Sequence, residues 1–385
     1  MRIAIVHRDL HAVTRGGICT VYRQLADRLA DAGHHLTLIT QETPHPLPSR
    51  PGVDLVTLPR TEDLEAHRAA VAAALDHLTV DIAECSTWEA ELLHYASRPA
   101  GDRVPVLVRA DLSAATMAAP EAFAAAEQAL LDVADAGVAV SQWAARDIVA
   151  AYAHQLPVLA NGVDRLRFRP GPRTSPISSG RRLRLDQDGS TLGGSPLADD
   201  CPDTDALWQR VTGPRWETPR LLWVGKLTTM KGADRLQQLL PALAGKAAVT
   251  VVLGHGWVEY PLTLAGHPHV QVVQDVDDDD LPAVYRSSDY LLSTSRWEGF
   301  GLAIAEALAC GVPALLPAEL GTAAELIVDG ITGATWRDPA DLAALLERRP
   351  PLHGALPDGY DWDRNAADTL AMYEQLLAAR LSAGR

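Results

Sequence analysis

Lysine is almost missing from this chain. Three of its 385 residues are lysine, Lys226, Lys231 and Lys246, against 31 arginines. Basic charge is short as a whole: Lys and Arg total 34 against 49 Asp and Glu, a formal net charge of −15. Nucleic-acid binding rests on neutralising phosphates with basic side chains, so this balance argues against it. Cysteine is scarce too. Cys19, Cys85, Cys201 and Cys310 lie far apart, with no pair at metal-ligand spacing. A chain of this size needs no disulfide staples, so all four read as ordinary thiols and no metal site is expected. No apolar run reaches the roughly 18–20 residues that span a bilayer. Met1-Arg2-Ile3-Ala4-Ile5-Val6 opens a strand without the basic lead of a signal peptide. A cytoplasmic protein with no stable membrane insertion is the expectation.

What is present is an alternation. The chain is too long for one core and comfortable for two domains. Short apolar runs sit at 2–7, 35–39, 53–58, 80–84, 104–109 and 136–140, with another near 156–160. Segments of helical spacing lie between them, such as 18–32 and 61–78. Strand–helix alternation implies parallel strands with crossover helices, hence a doubly wound α/β domain. It breaks over 168–218, which is rich in Pro, Gly, Ser and Asp and holds a small basic cluster, Arg181, Arg182 and Arg184. It restarts at Leu221-Leu222-Trp223-Val224, with runs at 248–253, 269–273, 289–293 and 312–316. The expected organisation is therefore two Rossmann-like domains. The first spans 1–165 and is joined by a terminal helical segment, 361–385. A linker or surface insertion follows at 166–218, and the second domain at 219–360. Ligands of doubly wound sheets bind at the carboxyl ends of strands, so an interdomain site on loops after strands is expected. Neither first strand is followed by a dinucleotide or phosphate-loop fingerprint.

Two stretches of the second half carry chemistry. Arginine dominance with abundant alanine looks like a bias toward GC-rich codons, which makes the surviving lysines informative. Two of the three lie in Gly225-Lys226-Leu227-Thr228-Thr229-Met230-Lys231-Gly232, after a strand. A cation at a helix start is mildly unfavourable alone. Two there make sense if a pyrophosphate lies between them and the helix amides. The alternative is a pair of solvated lysines. The second stretch is Arg296-Trp297-Glu298-Gly299-Phe300-Gly301-Leu302-Ala303-Ile304-Ala305-Glu306. Gly299 and Gly301 let the backbone approach a ligand, with the amides of Phe300, Gly301 and Leu302 over the helix start. Glu298 and Glu306 suit hydroxyl groups, because an ionised carboxylate accepts several O–H donors.

These residues resemble the family-4 retaining glycosyltransferases of the two-Rossmann-domain (GT-B) architecture. The resemblance rests on Glu298 and Glu306 with seven residues between them, on Gly225 to Gly232, on Asn161-Gly162-Val163-Asp164, on Ala309-Cys310-Gly311-Val312-Pro313 and on Glu325 to Gly333. It implies that Lys226 and Lys231 bind the diphosphate of a sugar nucleotide, a UDP sugar by default. It implies that Glu306 takes the ribose hydroxyls, that Glu298 takes those of the transferred sugar, and that amides from Gly299 to Leu302 touch sugar and phosphate. The base is implied near loops 254–257 and 274–276. No metal and no cofactor beyond that co-substrate are implied.

The first half is read for the acceptor. Thr14-Arg15-Gly16-Gly17 precedes a helix, and Gly16 and Gly17 offer a contact to the donor diphosphate or sugar. Similar enzymes often carry a Val-Arg-Leu-His segment after the fifth strand. Here it is Val108-Arg109-Ala110-Asp111, so Asp111 stands where the histidine would be. Asp111 either meets donor sugar or acceptor or caps the next segment. Trp88 and Glu89 follow the fourth strand, and Trp88 either stacks on an acceptor or packs inside. Arg15, Trp88, Glu89, Arg109 and Asp111 are the acceptor-side candidates; Glu298, Lys226, Lys231 and Asp111 are the candidates for catalysis. Residues 1–164 hold 21 acids against 12 arginines, the wrong sign for docking on anionic headgroups. The expected acceptor is a soluble small molecule, amine-bearing by preference, of the kind found in natural-product or antibiotic biosynthesis. A sugar-nucleotide epimerase and a silent sugar-nucleotide-binding partner are the competing readings.

Overall fold

The computed structural model describes every residue except 13–15, 186–190, 197–204, 206, 209–217, 255–258, 384 and 385. It divides into two α/β units, Met1–Gly162 with Gly359–Arg385, and Val163–Asp358.

In the first unit the elements run β1 (Arg2–Val6), α1 (Gly17–Asp31), β2 (His35–Gln41), β3 (Val53–Leu58), α2 (Leu64–Asp76), β4 (Ile82–Ser86), α3 (Leu93–Ala96), β5 (Val106–Ala110), α4 (Glu121–Val133), β6 (Ala136–Ala139) and α5 (Gln142–Tyr152). The strands form one sheet in the order β3-β2-β1-β4-β5-β6, every pair parallel. Strands covered on both faces need apolar residues at nearly every position, and β1, β4 and β5 are buried almost throughout. Helix starts are written into the sequence. Asp63 caps α2 by accepting from the amides of Glu65 and Ala66, and Ser141 caps α5 by accepting from Ala144. The run near 156–160 forms only an isolated bridge, Val158 to Ala139. Pro157 has no N–H to give a ladder.

The second unit holds β7 (Arg181–Leu185), β8 (Thr191–Pro196), β9 (Arg220–Gly225), α6 (Ala233–Leu243), β10 (Ala248–Leu253), β11 (Val270–Gln274), α7 (Leu281–Ser287), β12 (Tyr290–Leu292), α8 (Leu302–Ala309), β13 (Ala314–Pro317), α9 (Ala323–Leu326), β14 (Gly333–Trp336) and α10 (Pro339–Arg348). Its sheet order is β14-β13-β12-β9-β10-β11-β7-β8. Its six parallel strands repeat the order of the first sheet. The antiparallel hairpin β7–β8 is added at the β11 edge. That corrects part of the expected linker: Arg181 and Arg182 belong to a sheet strand, opposite Gln274 and Val273. The short strand β14 is also new, because Gly-Ala-Thr-Trp shows no apolar run.

The last helix, α11 (Trp362–Ala383), packs on the first unit. Asp363 accepts from Arg28, Thr369 from Arg109, and the Tyr373 hydroxyl donates to Glu84. Arg109 and Glu84 are 3% and 0% exposed and hydrogen-bonded at 2.7 Å. The charge of Arg109 is thus matched by Glu84 inside the unit, out of reach of solvent, which corrects its place among the acceptor-side candidates. Removing one partner of a buried pair strands the other charge. Arg109→Ala is therefore expected to lose about 3–5 kcal/mol, a drop in melting midpoint of roughly 10 °C by calorimetry.

Candidate active site

The order reverses between β9 and β12 in the second sheet, the switch point where doubly wound sheets bind ligands. The two loops that leave this point are the two stretches singled out by sequence. Leu227 is 3% exposed in the hydrophobic core and pins the first loop. Glu259 pins it again, accepting from the amide and hydroxyl of Thr229 at 2.6 and 2.8 Å. The loop ends at Gly232, the N-cap of α6, where φ is +67°. A Cβ there would sit 2.0 Å from the carbonyl oxygen of Thr294. Only glycine lets the first loop press so closely on the second.

Four of the contacts between the loops stand out. The Thr294 hydroxyl donates to the Lys231 carbonyl at 2.8 Å and accepts the buried indole N–H of Trp223 at 2.9 Å. The Arg296 amide donates to the Met230 carbonyl at 2.9 Å, and its guanidinium grips both Asp234 oxygens at 2.6 Å. The fourth contact is the chemical centre. Lys231 Nζ lies 2.7 and 2.9 Å from the two oxygens of Glu298, and the Ser295 hydroxyl donates to Glu298 at 2.7 Å. Lys231 and Glu298 are 26% and 12% exposed, so both still reach solvent. Gly301, at φ +89°, is the N-cap of α8, and the first turn of that helix carries no acid to neutralise its amides. Glu306, one turn further on, accepts from the Tyr285 hydroxyl at 2.8 Å. A small cavity lined by Trp223, Ser293, Ser295, Glu298 and Ile304 lies between β9, β12 and α8.

The switch point therefore gathers Lys231, Glu298, Gly299, Phe300, Gly301 and Leu302, with Lys226 at the carboxyl end of β9 and Glu306 on α8. Thr294, Ser295 and Tyr285 were not read as site residues. The polar run Ser293-Thr294-Ser295, directly after an apolar strand, was the available signal for the first two.

In the first unit Gly16 is the N-cap of α1, and the space around Gly17 is open. Arg15 and Thr14 lie outside the described residues, as do 255–257 of the loop expected to hold the base. Trp88 is half-buried and tilts against Phe123 with ring centroids 5.5 Å apart. Glu89 is bent by a left-handed backbone at φ +64°. Asp111 accepts from the amide of Leu112 at 3.0 Å at the end of β5.

Two family models match the sequence. "Glycosyltransferase Family 4" covers residues 15–167 and "Glycosyl transferases group 1" covers 206–348. The matches do not overlap, and each falls on one α/β repeat. The chain belongs to glycosyltransferase family 4. Among curated relatives, this family-4 chain is 27% identical over 323 residues to a D-inositol 3-phosphate glycosyltransferase of Salinispora arenicola, covering 76% of this chain and 65% of that one. A second, of Salinispora tropica, is also 27% identical, and the match spans 60% of its length. Among solved structures, sucrose-phosphate synthase of Thermosynechococcus elongatus shares the fold with TM-score 0.76 and 19% identity, over 98% of this chain and 99% of that one. Anabaena HepE, solved with UDP-glucose, has TM-score 0.66 and 16% identity over the whole of both chains. AviGT4, a glycosyltransferase of avilamycin A biosynthesis, has TM-score 0.58 and 16% identity over 98% of both. The two-domain GT-B fold is shared throughout. Among the described residues, no helix of this family-4 member is long and apolar enough to cross a membrane.

One titratable group beside Asp111 escaped the sequence reading. Glu127 on α4 is fully buried, accepting from the Ala114 amide at 2.8 Å and the Tyr152 hydroxyl at 2.6 Å. Burial raises its pKa to about 7, against those hydrogen bonds and with help from the charges of Asp111 and Asp147. A carboxyl whose folded pKa is raised stabilises the fold fully below its unfolded pKa. That contribution fades as pH climbs through the folded value. The expected result is a loss of up to about 3 kcal/mol between about pH 4.5 and 7.5, absent in Glu127→Gln, read from urea midpoints across that range.

Proposed function

We propose that this chain moves a sugar from a nucleotide-diphosphate sugar to a soluble small-molecule acceptor, with retention of anomeric configuration. The observation that carries this reading is Lys231. It is a lysine in a chain with almost none, held beside the acid-free N-terminus of α8 by a glutamate whose oxygens suit sugar hydroxyls. A diphosphate would draw Lys231 and Lys226 and release Glu298 to the sugar. Glu306 would take the ribose hydroxyls.

As the bond from sugar carbon to phosphate oxygen breaks, negative charge builds on the diphosphate. The lysines and the α8 amides oppose that charge, which lowers the barrier where it matters. The acceptor oxygen bonds to the same face of the sugar carbon, and its proton passes to the departing phosphate oxygen. No protein base is required, and the two lysines supply the charge a metal would otherwise bring.

UDP sugars are the first donors to try, since HepE was solved with UDP-glucose. A natural-product acceptor is in keeping with the fold shared with AviGT4. Incubation with UDP, GDP, ADP and dTDP sugars tests the reading. Release of a nucleoside diphosphate, faster with acceptor, is the expected result; an isomerised sugar nucleotide or binding without turnover would replace it.

A further inference from the structure

The first sheet has its own switch point, between β1 and β4. His7 and Arg8 follow β1 there, and Thr87, Glu89 and Glu91 follow β4. Glu91, with no exposed surface, is the hub. Its Oε1 accepts from the Arg8 amide at 2.6 Å and pairs with His67 Nε2 at 3.1 Å. Gln41 Nε2 donates to His67 Nδ1 at 3.0 Å, so the proton of a neutral His67 sits on Nε2, facing Glu91. Burial pushes the Glu91 carboxyl up, but the hydrogen bonds and charges of His67 and His7 hold it at about 2.

Around this hub the polar atoms are under-bonded. His7 Nδ1 stands 3.5 Å from Glu91 Oε2, and Arg8 Nη1 stands 3.5 Å from Glu89 Oε1. Arg8 Nε and Thr87 Oγ1 have no hydrogen-bond partner, and His7 Nδ1 and Glu91 Oε2 have only each other, at that stretched ion-pair distance. Yet the four residues are only 7%, 6%, 0% and 0% exposed. Buried polar atoms are nearly always paired, so two orphans beside a stretched ion pair in one cluster call for a ligand that completes them. The backbone adds a second sign. Glu89 and Ala90 are consecutive non-glycine residues at φ +64° and +49°. Such conformations cost about 1–3 kcal/mol each and persist where a side chain must be aimed.

We propose that this cluster is a subsite for a hydroxyl-rich ligand that carries no phosphate. Its naming as the acceptor subsite rests on the transferase reading above. A hydroxyl both donates and accepts, so neighbouring hydroxyls can take the Arg8 Nε–H and give to Glu89 or Glu91 at once. A phosphate monoester only accepts at neutral pH. It would also meet the carboxylates of Asp9, Glu89 and Glu91. The charge of Arg8 is already matched by Glu62 at 2.9 Å and by Glu89. An amine on the ligand is compatible with Glu89. The subsite thus selects against the phosphorylated acceptor in the name of the curated relatives.

The test is direct binding to the full chain, by saturation-transfer NMR titration with myo-inositol, the aminocyclitol streptamine and myo-inositol 1-phosphate. Inositol or streptamine is expected to bind at least about tenfold more tightly than the phosphate ester. Glu89→Gln should weaken the favoured ligand about tenfold and isosteric Thr87→Val about threefold, with UDP binding unchanged in both. Tighter binding of the phosphate ester, binding of none of the three, or unchanged affinity in the folded variants would overturn the proposal. The readout needs no turnover. A chain that binds the polyol but releases no nucleotide from any donor refutes the transferase reading and leaves the subsite standing.

Discussion

Lys231→Ala is expected to lose about 100- to 1000-fold in turnover while the fold survives. The size follows from removing one cation that meets charge created only in the transition state. The survival follows from the geometry. Lys231 and Glu298 are partly exposed, and Glu298 keeps its hydrogen bond from Ser295. Because both side chains still reach solvent and Ser295 continues to hold Glu298, losing this pair costs the fold only about 1–2 kcal/mol. Melting midpoint and far-ultraviolet dichroism should stay close to wild type, while release of nucleoside diphosphate collapses. Lys231→Arg should recover only part of the rate, because a planar guanidinium does not replace a compact ammonium at a point contact. Turnover at the wild-type rate in Lys231→Ala would remove the diphosphate from this loop.

Gly232→Ala is expected to destabilise the chain by about 3–5 kcal/mol, combining strain at positive φ with an overpacked contact. The added methyl would lie 2.0 Å from the Thr294 oxygen and 2.8 Å from its carbonyl carbon. Backbone cannot step aside as a flexible side chain can. Thr294 is itself tied to Trp223 and Lys231, so the two loops must part. Gly245→Ala is the matching control. Gly245 also has positive φ, +72°, but a Cβ there meets nothing within 4 Å, so only the strain of about 1 kcal/mol remains. Urea unfolding of the two variants separates clash from strain. Equal losses would show that the contact between the loops has slack.

Much of the fold was legible because parallel strands are buried on both faces. β1, β5, β9 and β10 read as apolar runs for that reason, with helical spacing between them. The hairpin β7–β8 was not legible. Arg181-Arg182-Leu183-Arg184-Leu185 carries three charges and no apolar run, so it read as a basic cluster although β11 and β8 pair with it on both sides. Strand order was not legible either, since it depends on pairings far apart in sequence. At the site, residue types and spacing pointed to Lys231 and Glu298 separately. Their direct contact joins residues 67 positions apart and needed the folded switch point. Arg109 misled because it stands in the segment that resembles Val-Arg-Leu-His, ahead of Asp111. The partner that absorbs its charge, Glu84, comes from the neighbouring strand, and Thr369 comes from a helix near the other end of the chain. Of the cluster around Glu91 only Glu89 was legible, for the same reason: the cluster is assembled from β1, β2, α2 and the loop after β4.

The central claim is that the loops after β9 and β12 hold a sugar nucleotide and release its diphosphate. Phosphorus and proton NMR of the full chain with an α-linked UDP sugar and a polyol acceptor reads this directly. The account predicts that UDP appears together with an α-linked product, and that both vanish in Lys231→Ala. A β-linked product would contradict retention. Intact donor across UDP, GDP, ADP and dTDP sugars, with no nucleotide bound, would contradict the claim itself.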